Sequence, residues 1–109
     1  EEVFIKDIEG PLFFGSSSKF NEIAKQIPST VTTLVIRLNK VPYIDQSGLY
    51  ALESVITDLI SKNKKILLVG LKNQPKELME KVNIIPSLIP EKQIFQDFES
   101  SLASIKKLQ

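Results

Sequence analysis

The sequence contains neither cysteine nor histidine in its 109 residues. Without cysteine the chain has no disulfide, no thiolate metal site and no thiol chemistry. Without histidine it also lacks the commonest general base and zinc ligand, and every Ser-His-Asp or Cys-His arrangement. We therefore expect a protein that is not an enzyme, binds no metal and needs no cofactor.

An excess of charge of one sign is also missing, since 14 basic and 13 acidic residues give a net charge of +1. Such a balance provides no extended field that would hold nucleic acid, so nucleic acid is not an expected partner. The only glycines are Gly10, Gly15, Gly48 and Gly70, and they cannot form a P-loop or a dinucleotide-binding fingerprint. No apolar run approaches the roughly 20 residues of a membrane helix, so we do not expect this chain to span a membrane.

What is present resembles an ordinary globular domain, with 42% hydrophobic and 25% charged residues. A chain of this length suffices for one hydrophobic core and one domain. It begins with Glu1 and not with Met, and a strand-like pattern is established by Val3. We interpret residues 1–109 as a single domain taken from a longer chain.

The first third of the chain predicts two strands and a helix, followed by an inner strand. β-Branched and aromatic residues predict a strand at residues 3–8, and a short apolar run between Pro and Gly predicts a second at residues 12–14. Apolar residues spaced three and four apart predict a helix that ends before Pro28. These residues are Phe20, Ile23, Ala24 and Ile27. The continuous apolar run at residues 32–38 predicts a strand buried on both faces.

The remaining chain predicts further alternation of helices and strands. A clean apolar stripe predicts a helix from Gln46 to about Lys62, and residues 66–69 predict the next buried strand. Asn73 is the expected cap of a helix with three inward apolar residues, Leu78, Met79 and Val82. A short strand at residues 87–89 and a last helix at residues 94–108 complete the series. The alternation predicts an α/β fold with a mostly parallel or mixed sheet flanked by about four helices.

Residues 41–49, with the sequence VPYIDQSGL, lie where the inner strand leads into the helix. Ligands and switches in such sheets lie beyond the carboxyl ends of strands, so functional residues are expected here. Asp45 is placed to cap the helix that begins at Gln46, and Gly48 allows close packing. Ser47 would then be exposed in the first turn, where a phosphate or anion would meet backbone N–H groups. A structural cap and a modified serine are compatible, and both interpretations remain open.

A nucleophilic Ser47 is the third interpretation. The strand-turn-helix elbow of hydrolases requires glycine on both sides of the serine and a histidine base. Gln46 precedes the serine and the chain has no histidine. The Ser-x-x-Lys spacing at a predicted helix start, from Ser16 to Lys19, is better explained as a cluster of caps. We therefore do not expect hydrolase activity.

Two other groups of residues are candidates for contact with partners. Lys62, Lys64 and Lys65 could touch phosphate or anionic lipid, but cations are favoured at a helix end in any case. No aromatic residues interleave them, which favours a solvated surface. Phe13 and Phe14 would contribute to an interaction surface if one ring points outward, although strand alternation predicts that at least one faces the core.

The whole pattern resembles the STAS domain, named for sulfate transporters and anti-sigma factor antagonists. The resemblance rests first on residues 41–49, with a buried strand ahead and an amphipathic helix behind. Two further stretches, GPLFFG at residues 10–15 and IFQDF at residues 94–98, look like the form carried by SulP-family anion permeases. The pair Pro42 and Tyr43 also fits that branch.

The resemblance implies a non-catalytic domain on the cytoplasmic side of the cell membrane that regulates the sulfate-like anion transporter of which it is part. The implied partners are the transporter's own transmembrane region, cytosolic regulatory proteins or a second copy, and Phe13, Phe14 and Tyr43 are candidate contact residues. In the antagonist branch the serine at the position of Ser47 is phosphorylated by a partner kinase, and Gln46 stands where antagonists often carry serine. A free-standing antagonist switched at Ser47 is therefore the alternative function.

Overall fold

The computed structural model describes residues 2–10 and 17–108, together with the side chains of residues 22–106 within the second range. The strand expected at residues 12–14 lies outside the described residues, and so do the candidate contact residues Phe13 and Phe14.

The described strands form one parallel sheet in the order β1-β2-β3-β4. Its strands are β1 (Glu2–Glu9), β2 (Val31–Lys40), β3 (Lys65–Val69) and β4 (Ile94–Phe95). Leu34 of β2 lies opposite Ile66 of β3, and Leu68 of β3 lies opposite Ile94 of β4. Because the strands are parallel, all four carboxyl ends meet at one edge of the sheet.

Helices connect the strands. The α-helices are α1 (Ser17–Gln26), α2 (Gln46–Ser61), α3 (Asn73–Lys81) and α4 (Phe98–Leu108). A π-type turn at Ile84–Leu88, interrupted by extended backbone at Ile85, and a single 3₁₀ turn at Glu91–Gln93 lie between α3 and β4. The predicted α/β class with a mostly parallel sheet and flanking helices is confirmed.

The strand predicted at residues 87–89 is wrong. The N–H of Ile89 donates to the carbonyl of Ile84 at 2.9 Å, which closes a turn over the proline-containing segment between them. The strand is formed instead by Ile94–Phe95, which pairs with the end of β3. The last helix therefore begins at Phe98, and Ile94 does not belong to it.

The start and the inner face of α3 also differ from expectation. Lys72 occupies the N-cap position without a side-chain hydrogen bond, so Asn73 is the first helical residue and not the cap. Met79 is buried and Leu78 half-buried, as predicted. Val82 lies beyond the end of the helix and is 41% exposed, because the left-handed residue Asn83 turns the chain away there.

Successive side chains of the inner strands alternate between two faces of the sheet. One, the α1–α3 face, carries most of the buried hydrophobic residues, including all those of α2. Its strand residues from β2 and β3 are Val31, Leu34, Ile36, Leu38, Ile66 and Leu68. The other, the α4 face, has the buried residues Val35, Leu67 and Val69, against which Phe98 and Ile105 of α4 pack. Both faces of the sheet are covered, as the unbroken apolar strands indicate.

Gly70 directly follows the carboxyl end of β3, at the edge of the sheet where α2 and α3 begin. Its φ of +72° lies in the left-handed region, which side chains rarely adopt. A Cβ built there would come within 2.7 Å of the Cβ of Asn39, near the end of β2. Glycine therefore allows the ends of β2 and β3 to approach closely at this edge.

Candidate functional site

The loop of residues 41–45 connects the carboxyl end of β2 to the first turn of α2. Val41 and Ile44 are fully buried anchors of this loop, and Val41 donates its N–H to the carbonyl of Leu38 at 3.0 Å. Pro42 and Tyr43, between the anchors, are exposed. The loop is therefore fixed at both ends and exposes its middle at the carboxyl edge of the sheet.

Asp45 caps α2. Its backbone is extended, with φ −89° and ψ 177°, and its Oδ1 accepts a hydrogen bond from the N–H of Gly48 at 2.8 Å. The carbonyl of Asp45 accepts from the N–H of Leu49 at 2.9 Å, which starts the helical hydrogen bonds. This is the cap expected from the sequence, and it stabilises the helix by satisfying a first-turn donor and placing a negative charge at the positive end of the dipole.

Ser47 is exposed in the first turn of α2, one residue before the buried Gly48. Beside it, the Nε2 of Gln46 donates to the hydroxyl of Tyr50 at 2.8 Å. Tyr50 is 54% exposed and Tyr43 is 44% exposed. We call the four exposed residues Tyr43, Gln46, Ser47 and Tyr50 the α2 patch.

The α2 patch combines two aromatic rings with an amide and a hydroxyl, and none of its four side chains carries a charge at neutral pH. Tyrosine supplies large contact area with little loss of side-chain freedom, which is why it is enriched where proteins bind one another. The patch offers no nucleophile-base pair and no set of metal ligands. Its chemistry is suited to binding.

Two residues of this region were not identified from the sequence. Tyr50 lies four residues after Gln46, and that spacing on a predicted helix was the available signal. Gln74, in the first turn of α3, holds the backbone N–H and carbonyl of Ile44 through hydrogen bonds of 2.9 and 3.0 Å. The two residues are 30 positions apart in the sequence, so only the tertiary fold brings them together.

The lysine cluster lies at the opposite edge of the sheet and serves the fold. The Nζ of Lys64 donates to the carbonyl oxygens of Pro28 at 3.5 Å, Ser29 at 3.4 Å and Val31 at 2.5 Å. The Nζ of Lys62 lies 3.1 Å from the carboxylate of Asp58. Both ammonium groups therefore have partners within the chain, which favours the structural interpretation of this cluster.

Within residues 2–10 and 17–108, no three or more histidine, cysteine or acidic side chains come together as a metal site would require. Across the same part of the chain, every helix is too short or too polar to traverse a bilayer. Of the three candidate contact residues, Tyr43 lies in the α2 patch, while Phe13 and Phe14 are outside the described ranges.

Comparison with known proteins gives one family. The model of the STAS domain matches residues 1–101. A protein of Bacillus subtilis (strain 168), named "Putative sulfate transporter YvdB", is 38% identical over 78 residues. That alignment covers 71% of this chain but only 15% of the relative. The chain thus spans a small part of the length of the curated relative it matches.

Solved structures agree with this match. A sulfate transporter family protein from Wolinella succinogenes has a TM-score of 0.86 and 27% identity, covering 97% of this chain and 86% of that one. The SulP transporter STAS domain from Vibrio cholerae has a TM-score of 0.81 and 28% identity, covering 98% and 84%. The anti-sigma factor antagonist SpoIIAA shares the fold alone, with a TM-score of 0.75 and 14% identity over 97% and 90% of the two chains.

Proposed function

Because the chain belongs to the STAS domain family, we propose that it is the regulatory and protein-interaction domain of a SulP-type anion transporter, held on the cytoplasmic side of the membrane. The observation that carries this proposal is the relative named for sulfate transport, in which the matching region makes up 15% of the length. Such a proportion fits a domain attached to a much larger transport protein.

The proposed mode of action is binding through the α2 patch. Its aromatic and uncharged polar side chains suit a close interface, because burying them removes apolar surface from water without leaving a charge unpaired. The proposed partner is the transmembrane region of the same transporter, with cytosolic regulatory proteins or a second copy of the domain as further partners. The domain regulates transport by docking there and releasing.

Ser47 is the proposed control point of this interface. A phosphate on its hydroxyl would add about 1.5 to 2 negative charges in the first turn of α2. The helix dipole favours that charge, while the carboxylate of Asp45 two residues away opposes it, and each effect is about 1 kcal/mol or less at an exposed site. Desolvating the phosphate within an interface would cost considerably more. Modification would therefore weaken binding without unfolding the domain.

The second candidate function is a free-standing antagonist that is switched by phosphorylation of Ser47. Exposure of this serine in the first turn of α2 favours it, because a kinase needs an accessible hydroxyl. The two functions differ in what surrounds the domain. A reading frame that continues into many apolar segments of about 20 residues supports the transporter function, and one confined to this domain supports the antagonist.

The proposal is tested by measuring the affinity of the domain for the membrane region from the same reading frame, reconstituted in lipid nanodiscs. We expect Ser47→Glu to weaken binding by about tenfold or more, while the thermal midpoint shifts by less than about 4 °C. Ser29→Glu is the matched control, since Ser29 is an exposed serine at the opposite edge of the sheet.

Equal affinities for the wild type and Ser47→Glu would show that Ser47 lies outside the interface. A collapsed thermal midpoint would instead make it a structural residue. No binding of the wild-type domain to the membrane region would refute the proposed docking.

A further inference from the structure

Gln74 binds both the backbone N–H and the backbone carbonyl of Ile44 through the two ends of its side-chain amide. The N–H of Ile44 donates to Gln74 Oε1 at 2.9 Å, and Gln74 Nε2 donates to the carbonyl of Ile44 at 3.0 Å. A primary amide carries a donor and an acceptor in one plane, so it can pair with a peptide as a neighbouring strand would. The first turn of α3 is thereby joined to the loop that precedes α2.

The backbone N–H and carbonyl of Ile44 both need hydrogen-bond partners. Ile44 as a whole residue is fully buried, so its backbone is out of contact with water, and it lies in the loop between β2 and α2. A backbone N–H or C=O buried without a partner is unfavourable, so such groups are nearly always paired. Gln74 is half-buried and satisfies both groups at once.

Ile44 lies directly before the cap of α2. A displacement of its peptide would move Asp45, whose carboxylate accepts from the N–H of Gly48 across Ser47. The contact that holds Ile44 therefore also supports the position from which Ser47 is presented. Asp45 caps the start of α2, and Gln74 holds the loop that ends at Asp45.

We propose that Gln74 is a positioning residue that holds Ile44, and with it the α2 patch, in the conformation that binds the partner. The contact also couples the two helices, since a displacement of the first turn of α3 would remove the Gln74 hydrogen bonds from Ile44 and lower the affinity of the α2 patch. The link to partner binding rests on the proposed function, whereas the holding of the loop does not.

The first test is amide hydrogen exchange of the domain, measured by NMR for Ile44 and Gly48. Gln74→Glu keeps the shape and the acceptor but replaces the donor with an oxygen that faces the carbonyl of Ile44. We expect exchange at both amides to become about tenfold faster. The matched control is Asn73→Asp, the same chemical change at an exposed neighbour in α3, which should leave both rates within about twofold of wild type.

Unchanged exchange at Ile44 and Gly48 would overturn the proposal. Gln74→Met, which removes both hydrogen bonds without adding charge, is the second variant. The amides of Leu67 and Leu68, in the buried strand β3, report whether the domain stays folded. If both variants also lose protection at β3, Gln74 supports the whole fold and is not a positioning residue.

The second test is a double-mutant cycle on binding to the nanodisc-bound membrane region. We expect Gln74→Glu to weaken binding about 3- to 10-fold, because the competent loop is then populated only part of the time. If Gln74 acts through the loop, the Gln74→Glu substitution should weaken binding little further in a domain that already carries Ser47→Glu. Fully additive losses would overturn the positioning role. A wild-type domain that does not bind refutes the proposed function, and hydrogen exchange still decides the role of Gln74.

Discussion

The two faces of the sheet are buried by different means. Among the described residues, the α1–α3 face is covered by three helices and holds most of the buried hydrophobic side chains. The α4 face has three buried residues, Val35, Leu67 and Val69, and one helix packs on them. Apolar burial dominates on the first face. On the α4 face, apolar burial is supplemented by contacts of a charged side chain, Arg37.

Arg37 of β2 ties α4 to the edge strand. Its guanidinium lies 5.1 Å from the ring centroid of Phe98, the first residue of α4. Its Nε is 3.2 Å from the carboxylate of Asp7 in β1, but it is not aligned for a hydrogen bond, so the contact is an ion pair. The comparison indicates that the α4 face is held by fewer buried apolar side chains than the α1–α3 face, and three predictions test this difference.

The largest expected difference is between core truncations on the two faces. Leu52 of α2 is fully buried on the α1–α3 face, so Leu52→Ala should lower the free energy of unfolding by about 3 kcal/mol. Ile105 of α4 is half-buried, so Ile105→Ala should cost about half as much, since less apolar surface is lost. Urea unfolding of both variants measures the two costs. Equal costs would show that the faces contribute alike.

The second prediction concerns the charged contact. Arg37→Met removes both the ion pair and the cation–π contact and should lower the free energy of unfolding by about 1 kcal/mol. The control is Lys40→Met, which removes an ion pair with Glu9 whose side chains are 62% and 68% exposed, and it should change stability by less than about 0.5 kcal/mol. Urea unfolding measures both free energies. Equal losses for the two variants would show that the Arg37 contacts stabilise the fold no more than an exposed ion pair does.

The smallest expected effect is at the start of α4 and depends on pH. The backbone N–H of Ser100 donates to Asp97 Oδ1 at 2.8 Å, and this bond, with a side-chain hydrogen bond from Ser100, holds the pKa of that carboxyl below its ordinary value. The folded state therefore binds the proton less readily than the unfolded state. The stabilisation is complete above about pH 4 and is lost as the pH falls through the lower folded pKa.

Asp97→Asn should therefore reduce the loss of stability on acidification below about pH 4, while stability at neutral pH changes little because asparagine also caps helices. Thermal midpoints recorded from neutral pH down to about pH 2 would show the difference. Glu99→Gln, in the same exposed turn, is the control for loss of a carboxylate. An identical acid response in the two variants would contradict the assignment.

The elements that could be predicted from the sequence are those with a local signal. The stripe of α2, its Asp45 cap and its end near Lys62 all follow from spacing and residue type. The runs that became β2 and β3 were long enough and sufficiently β-branched to identify as buried strands. Each of these features is decided within one segment of chain.

The features that could not be predicted depend on distant contacts. The short segment at residues 87–89 is compatible with a strand or a turn, and β3 pairs instead with Ile94–Phe95. The strand Ile94–Phe95 is only two residues long and is defined by its pairing with β3. At the candidate site, the hydrogen bonds between Gln74 and Ile44 join residues 30 positions apart. No local sequence pattern could therefore predict them.

The parallel sheet also places the proposed docking surface and an exposed serine suited to labelling at opposite edges. The α2 patch follows the carboxyl end of β2, whereas Ser29 precedes the start of that strand at the opposite edge and is exposed. Because the sequence contains no cysteine, Ser29→Cys would provide a single thiol for a fluorophore. The backbone carbonyl of Ser29, which accepts from Lys64, is retained by that substitution. Docking of the α2 patch could then be followed by fluorescence with the probe on the far side of the sheet.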